Sequence, residues 1–278
     1  MIARRSFWQR YRRSETAVIG LAMLLMVIAV AIAGPFVYRV DPLSMVTSPF
    51  LWPGADASHW LGSDSAGRDV LSGLVNGARV SLTIGVAATI AAVVMGVLVG
   101  AVAGYFRGVI DDMLMRVTEV FQTIPHFLFV IVIVAIFQPS TTIICTAIAT
   151  VSWPPVARLV RGQFLTLRQR AFVESCVVIG MSTPRIIFTQ ILPNCLAPII
   201  VTASIMVASA ILMEAGLSFL GLGDPNTMSW GAMIGFGRQS LRTAWYLAAI
   251  TGFAIQLTVL SISLVSEGLN DELNPRLA

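Results

Sequence analysis

The chain has 278 residues, of which 56% are hydrophobic and only 12% are charged, and its mean hydropathy is +0.84. Soluble domains carry about 25% charged residues, so the composition excludes an ordinary soluble enzyme and predicts an all-α polytopic membrane protein. All 18 basic residues are arginines, and the formal net charge is +4. Because arginines beside apolar runs act as topology signals, we expect no nucleic-acid partner.

The first 15 residues form a basic segment in which Phe7, Trp8 and Tyr11 alternate with five arginines. This pattern predicts either an amphipathic segment on the inner membrane surface or a basic flank that only fixes orientation. The apolar run that follows is too long for a cleavable signal, and no clear small-residue cleavage site accompanies it. Residues 16–278 are therefore predicted to form one membrane domain.

Apolar runs predict six membrane spans, because a spanning helix needs about 20 apolar residues. The run at 120–157 is long enough for two helices, and Gln138-Pro139-Ser140 divides it. The predicted spans are 16–38, 82–105, 114–136, 141–160, 196–218 and 244–267.

Arginine placement predicts the orientation of these spans. With the N-terminus inside, thirteen of the 18 arginines lie in inner segments, and an inner excess is the rule for membrane proteins. Both termini and the loop 161–195 are thus predicted to be cytoplasmic. The loops 39–80 and 218–243 are predicted to lie outside, the first with a short helix at 66–78. The second is glycine-rich and is predicted to re-enter the membrane mouth, where irregular backbone must line protein or water.

Residues 171–193 of the inner loop predict two short helices, at 168–180 and 184–191. Ser182-Thr183-Pro184 divides them, with an N-cap residue followed by a proline in the first turn. An ordinary inter-helix loop is the alternative. Through Glu174, Gly180 and Leu192-Pro193, the stretch resembles the "EAA" loop of the membrane subunits of bacterial ABC importers, which docks on the ATP-hydrolysing subunit. The sequence departs from that pattern at Ser175-Cys176, where the family has two alanines, and at Gln190, where it has isoleucine.

Three further segments resemble the dipeptide, oligopeptide and nickel branch of that family, and within it the second, C-type permease. Residues 59–72 resemble its "LGTD..GRD" segment, with Ser63 for a usual threonine and Gly73 for a usual arginine just beyond. Residues 218–231 match its "SFLGLG…WG" signature. Residues 267–277 resemble its C-terminal "GDGLRDALDPRL".

The resemblance implies the six-helix architecture of a type I ABC importer permease in a bacterial inner membrane, forming half of a pathway for di- and oligopeptides. The implied partners are a homologous permease, two ATP-binding subunits, a solute-binding protein and membrane lipid. ATP and Mg²⁺ would bind the partner subunits, and this chain would hold no cofactor. The implied ATPase-coupling residues are Arg170, Phe172, Val173, Glu174, Ser175, Gly180, Met181, Leu192 and Pro193. The implied outer-face contacts, with the binding protein or as a gate, are Asp64, Gly67, Arg68, Asp69, Phe219, Gly221, Gly223 and Trp230.

No catalytic or metal motif accompanies these features. The chain lacks lysine and so lacks a phosphate-binding loop, and neither a nucleophile elbow nor H-E-x-x-H is present. Cys145, Cys176 and Cys195 are expected to be unpaired thiols, and His126 a packed polar residue. The sequence therefore predicts a transport subunit, with ATP hydrolysis by partners, rather than an enzyme.

Two other functions stay open at this stage. Nickel or metal-chelate uptake is the alternative within the family. An ion-gradient-driven transporter would need charged groups in mid-span, whereas Arg116, Glu119 and Glu214 lie near predicted span ends, where snorkelling or pairing is expected. A run of small residues at Gly96 and Gly100 predicts close helix packing, either within the subunit or between subunits.

Overall fold

The computed structural model describes Tyr11 and residues 14–273. The predicted amphipathic segment at 4–13, apart from Tyr11, and the terminal residues 274–277 lie outside this part. The described helices are α1 (Glu15–Val37), α2 (Val70–Phe106), α3 (Gly108–Thr123), α4 (His126–Phe137), α5 (Thr141–Leu167), α6 (Ala171–Val178), α7 (Thr183–Phe219), α8 (Trp230–Gly237) and α9 (Tyr246–Leu273). Within residues 14–273 the only β-structure is two isolated bridges, Met45–Arg68 and Ser63–Asp69.

Five of the helices in the described residues are long and apolar enough to cross a membrane, namely α1, α2, α5, α7 and α9. A sixth crossing exists only if α3 and α4 are counted together, since they meet at 83°. The predicted third span at 114–136 therefore corresponds to a bent pair of helices and not to one continuous helix. Pro125 causes the break, because it lacks an N–H donor and holds the preceding Ile124 in an extended conformation.

Two predicted short helices are parts of longer ones. The helix expected at 66–78 is the start of α2, because the Asp69 carboxylate accepts the backbone N–H of Ser72 at 2.6 Å and begins the helix there. The helix expected at 184–191 is the first part of α7. Pro193 is accommodated because residues 186–191 form a π-helical turn, in which the N–H of Leu192 reaches the carbonyl of Ile187.

Helix α2 packs most closely on α5, through glycines one turn apart. A Cβ atom at Gly96, Gly100 or Gly104 would collide with the backbone or Cβ atoms of α5. The small-residue pattern is therefore explained by packing within the subunit. Helix α7 lies centrally and contacts α2, α5, α8 and α9. We call the end of the bundle that carries residues 38–69 the cap end, and the end that carries residues 168–191 the loop end.

Gly100→Ala is expected to lower the free energy of unfolding by about 1–3 kcal/mol, and with it the unfolding midpoint. The added Cβ would lie 2.8 Å from the Cβ of Val160, so α2 and α5 would have to separate. Gly162→Ala is the matched control, because no atom lies within 4 Å of its added Cβ. The measurement is the unfolding midpoint of each purified variant. Equal midpoints for the two variants would contradict the tight α2–α5 contact.

Candidate functional site

We call residues 170–193 the coupling segment, after the role that the sequence predicts for it. Helix α6 begins after Arg170 and ends at Val178, and two residues later Gly180 has a left-handed φ of +78°. The N–H of Met181 donates to the carbonyl of Cys176, and the N–H of Gly180 donates to that of Val177, both at 3.0 Å. This pair of hydrogen bonds is a Schellman helix end, which favours glycine at the left-handed position.

One face of α6 is anchored in the chain itself. Val173 is buried against the π-helical turn of α7, in a cluster that contains Ile186, Ile187 and Ile191. Met181 and Leu192 pack partly into the same cluster. Three of the nine predicted coupling residues therefore hold the segment in place. The other six lie at the surface: Arg170, Phe172, Glu174, Ser175, Gly180 and Pro193.

Apart from Val173, the aliphatic and aromatic side chains of α6 and of the residue that follows it are exposed. Val178 is 85% exposed, and Phe172, Val177 and Ile179 are also accessible. Sequence reasoning missed Val177, Val178 and Ile179. The signal was present, since a run of aliphatic residues in a loop outside the membrane indicates a contact surface.

Glu174 stands in the first turn of α6 and is exposed. Its side chain makes no hydrogen bond or ion pair with the residues that the structure describes. Beside it lies a cavity of about 470 Å³ that Arg107 and Arg168 also line. Both arginines are fixed by backbone carbonyls, Arg107 by that of Leu165 at 3.1 Å and Arg168 by that of Tyr105. The Glu174 carboxylate is therefore free to bind a partner, and two arginines held by hydrogen bonds lie beside it.

The cap, residues 38–69, is organised by two buried carboxylates. Asp69 is the N-cap residue of α2. Its Oδ2 accepts a hydrogen bond from the Tyr38 hydroxyl at 3.0 Å and lies 2.6 Å from Nδ1 of His59. Burial and this hydrogen bond raise the pKa of Tyr38 to about 12. Asp64 accepts the backbone N–H of Arg68 at 2.9 Å. Both carboxylates thus hold the cap together and are not presented on its surface.

Four of the predicted outer-face residues meet around one cavity of about 570 Å³ at the cap end: Arg68, Phe219, Gly221 and Gly223. The Arg68 guanidinium lies 4.4 Å from the centre of the Phe236 ring. Arg238 donates to the carbonyl of Phe219 at 2.8 Å. The cavity is therefore bordered by two arginines held over aromatic rings.

The other predicted outer-face residues play structural parts. Trp230 is buried at the start of α8, and its indole N–H donates to the carbonyl of Leu74 at 2.9 Å. Gly67 has a left-handed φ of +78° in the cap. Nearby, Asp224 accepts two hydrogen bonds from Thr141 at the start of α5. Burial alone would raise the pKa of Asp224, but hydrogen bonds from Asn226 and Thr141 outweigh it and lower this pKa.

Two buried charged groups lie outside the predicted site residues. Glu214 is only 1% exposed and receives hydrogen bonds from three serines, so of the two expected arrangements, snorkelling or pairing, it does not snorkel but is buried with partners. Asp111 forms a two-pronged ion pair with Arg161, at 2.5 and 2.6 Å, and joins α3 to α5. Arg116 and Glu119 are exposed. In the described part of the chain, no three His, Cys, Asp or Glu side chains are grouped as metal ligands.

Comparisons with known proteins agree with this geometry. Residues 96–278 match the family described as "Binding-protein-dependent transport system inner membrane component". Residues 4–53 match "N-terminal TM domain of oligopeptide transport permease C".

Curated relatives align along nearly the whole chain. The di/tripeptide transport system permease protein DppC of Pseudomonas aeruginosa is 37% identical, over 98% of this chain and 92% of the relative. The oligopeptide transport system permease protein OppC of Escherichia coli is 40% identical over the same shares. The glutathione transport system permease protein GsiD of Pectobacterium atrosepticum is 36% identical, over 98% of this chain and 91% of the relative.

A solved structure supports the fold. A chain from inward-facing conformations of the MetNI methionine ABC transporter aligns with a TM-score of 0.60 and 15% identity, over 73% of this chain and 96% of the other. The predicted class, an all-α polytopic membrane protein with ABC permease architecture, is confirmed. The chain belongs to the family of binding-protein-dependent transport system inner membrane components, and within it to the permeases of the dipeptide and oligopeptide type.

Proposed function

We propose that this chain forms half of the translocation pathway of an ATP-driven importer for di- and oligopeptides, and that the coupling segment receives the motion of a separate ATPase subunit. The observation that carries the proposal is the two-sided character of α6. Its buried side, through Val173, is fixed to α7, while Val178, the following Ile179 and the unpartnered Glu174 are exposed. A segment built in this way binds a partner on one side and transmits force on the other.

The length of α7 supports the mechanical part of the proposal. Its 37 residues correspond to about 55 Å of helix, which exceeds the apolar thickness of a bilayer, about 30 Å. A push on the coupling segment therefore reaches the cap end through one helix. Rigid-body rocking of this kind alternates access between the two sides of the membrane.

The proposed assembly contains a homologous permease, two ATP-binding subunits and a solute-binding protein. ATP and Mg²⁺ bind the ATPase subunits, because the sequence of this chain offers no phosphate-binding loop. The solute-binding protein meets the cap end. Relatives named for di/tripeptide, oligopeptide and glutathione transport support a short-peptide substrate.

We also propose that both termini and the coupling segment face the cytoplasm, as the arginine bias indicates. In a variant without native cysteines, Ser65→Cys in the cap and Gln169→Cys at the loop end are both expected to react with maleimide, since both positions are exposed. An impermeant maleimide added to intact cells should label only position 65, and labelling of position 169 should require opened membranes. Labelling of both positions in intact cells would contradict this orientation.

Reconstitution tests the proposed function as a whole. Vesicles that contain this chain, the second permease and both ATPases should accumulate labelled dipeptide only when ATP and the binding protein are present. The same vesicles should be offered nickel chelate in a parallel arm. Accumulation of the chelate and not of peptide would replace the substrate in the proposal. Accumulation by this chain alone, driven by an ion gradient, would overturn the proposal itself.

A further inference from the structure

Glu214 is a buried carboxylate that the coupling mechanism described above leaves unused. It lies on α7 near the cap end, five residues before the helix ends at Phe219, and is 1% exposed. An ionisable group within a membrane-spanning helix is costly to bury and normally marks a function. Its partners come from two other helices as well as from its own.

Three serine hydroxyls donate to this carboxylate. Ser218, one turn later on α7, reaches Oε1 at 2.7 Å, and Ser229, the residue before α8, reaches the same oxygen at 2.6 Å. Ser81 of α2 reaches Oε2 at 3.3 Å. A carboxylate accepts all of these bonds at once, and hydrogen bonds to a charged acceptor are stronger than bonds between neutral groups.

Two of these serines also accept hydrogen bonds from backbone N–H groups in the first turn of α8. Ser229 accepts the backbone N–H of Ala232 at 3.1 Å, and Ser81 accepts the backbone N–H of Trp230 at 3.2 Å. The first N–H groups of a helix have no partner inside it and favour a negative charge nearby. The carboxylate of Glu214 thus stabilises the beginning of α8 through two hydroxyls.

Close glycine contacts leave α8 little room to move against α7. A Cβ at Gly231 would lie 2.6 Å from Cα of Ala215 on α7, and one at Gly235 would lie 2.9 Å from the carbonyl of Ser218. The backbone of α8 therefore rests directly on that of α7. At its other end, α7 carries the coupling segment, and α8 borders the cap-end cavity through Ala232, Gly235 and Phe236.

We propose that Glu214 is a positioning residue that pins α8 to α7 through Ser81, Ser218 and Ser229, so that α8 moves with the coupling segment. This inference rests on the proposed function, because it names the link between the ATPase contact and the cap-end cavity. Through these hydrogen bonds, a movement of the coupling segment at one end of α7 would move α8 at the other end, beside the cap-end cavity.

The test uses the full complex in lipid vesicles with Glu214→Gln. The amide keeps the size of the side chain but removes the charge and one of its two good acceptors. Peptide uptake per ATP hydrolysed should fall about tenfold, while assembly and ATP hydrolysis stay near wild type. Hydrogen exchange of the amides of residues 230–237 should accelerate, and that of residues 141–167 should not. Ser209→Ala is the control, because its exposed hydroxyl bonds only within α7, to the carbonyl of Ile205.

The outcomes separate the pin from a purely structural role. Uptake and ATP hydrolysis that fall in parallel, or unchanged exchange in α8, would overturn the inference. If Glu214→Gln does not assemble, Ser81→Ala and Ser229→Ala carry the same test with the carboxylate in place. If wild-type vesicles take up no peptide with ATP, the proposed function fails, whereas the exchange measurement still decides whether Glu214 holds α8.

Discussion

Glu174→Ala is expected to remove most peptide uptake while the subunit is inserted in the membrane at normal levels. The side chain has no partner among the described residues, so its removal costs this chain's own fold little. We expect this carboxylate to pair with a charge on the ATPase, and truncation of one partner of a buried, hydrogen-bonded charge pair costs about 2 kcal/mol or more, or roughly thirtyfold in affinity. Uptake by whole cells and the amount of membrane-inserted subunit are the two measurements.

Thr166→Ala is the matched control for Glu174→Ala. Thr166 is also exposed at the loop end, and its hydroxyl bonds only the carbonyl of Gly162 within α5. It lies outside the coupling segment and should leave uptake unchanged. Wild-type uptake by Glu174→Ala would remove this carboxylate from the coupling contact, and equal losses in both variants would point to a general defect of the loop end.

Gly180→Val is expected to cause a loss of similar size for a different reason. The φ of +78° at Gly180 is a conformation that costs residues with a Cβ about 1–2 kcal/mol, and a β-branched residue fits it worst. The space around the glycine is open, with no atom within 4 Å of an added Cβ. The loss therefore comes from backbone strain, which unwinds the end of α6 and displaces its exposed face.

Gly180→Asn separates strain from the loss of glycine as such. Asparagine enters the left-handed region far more easily than valine, so this variant should retain most of the uptake that Gly180→Val loses. Uptake in cells and the protease sensitivity of the loop are the readouts. Equal uptake by the two variants would show that the Schellman end of α6 has no part in coupling.

Much of the fold could be predicted because membrane spans are set by apolar length. The predicted spans 16–38 and 244–267 correspond to α1 (Glu15–Val37) and α9 (Tyr246–Leu273). The bend in the third span was not predicted, because hydropathy averages over Pro125 and carries no information about an 83° angle between helices. The separate helix expected at 184–191 failed for the reverse reason. The π-helical turn at 186–191 lets the helix pass Pro193, so the short helix and the span after it form one element.

The site was predictable where a residue acts through its own backbone conformation. Gly180 stood out in the predicted coupling loop, and its left-handed φ gives it a backbone role there. The partners of Glu214 were not predicted, because Ser81 and Ser229 lie 133 and 15 residues away in sequence. Only packing brings these serines together, and their spacing carries no periodic signal.

Photocrosslinking from α6 tests the central claim most directly. A photoreactive amino acid should replace Val178, which is 85% exposed at the loop end, and in a control Val37, which is 83% exposed at the cap end. In membranes that contain the whole complex, position 178 should crosslink to the ATPase subunit, with a yield that changes when ATP is added, and position 37 should not. Crosslinks from position 178 to lipid alone, with or without ATP, would contradict the account.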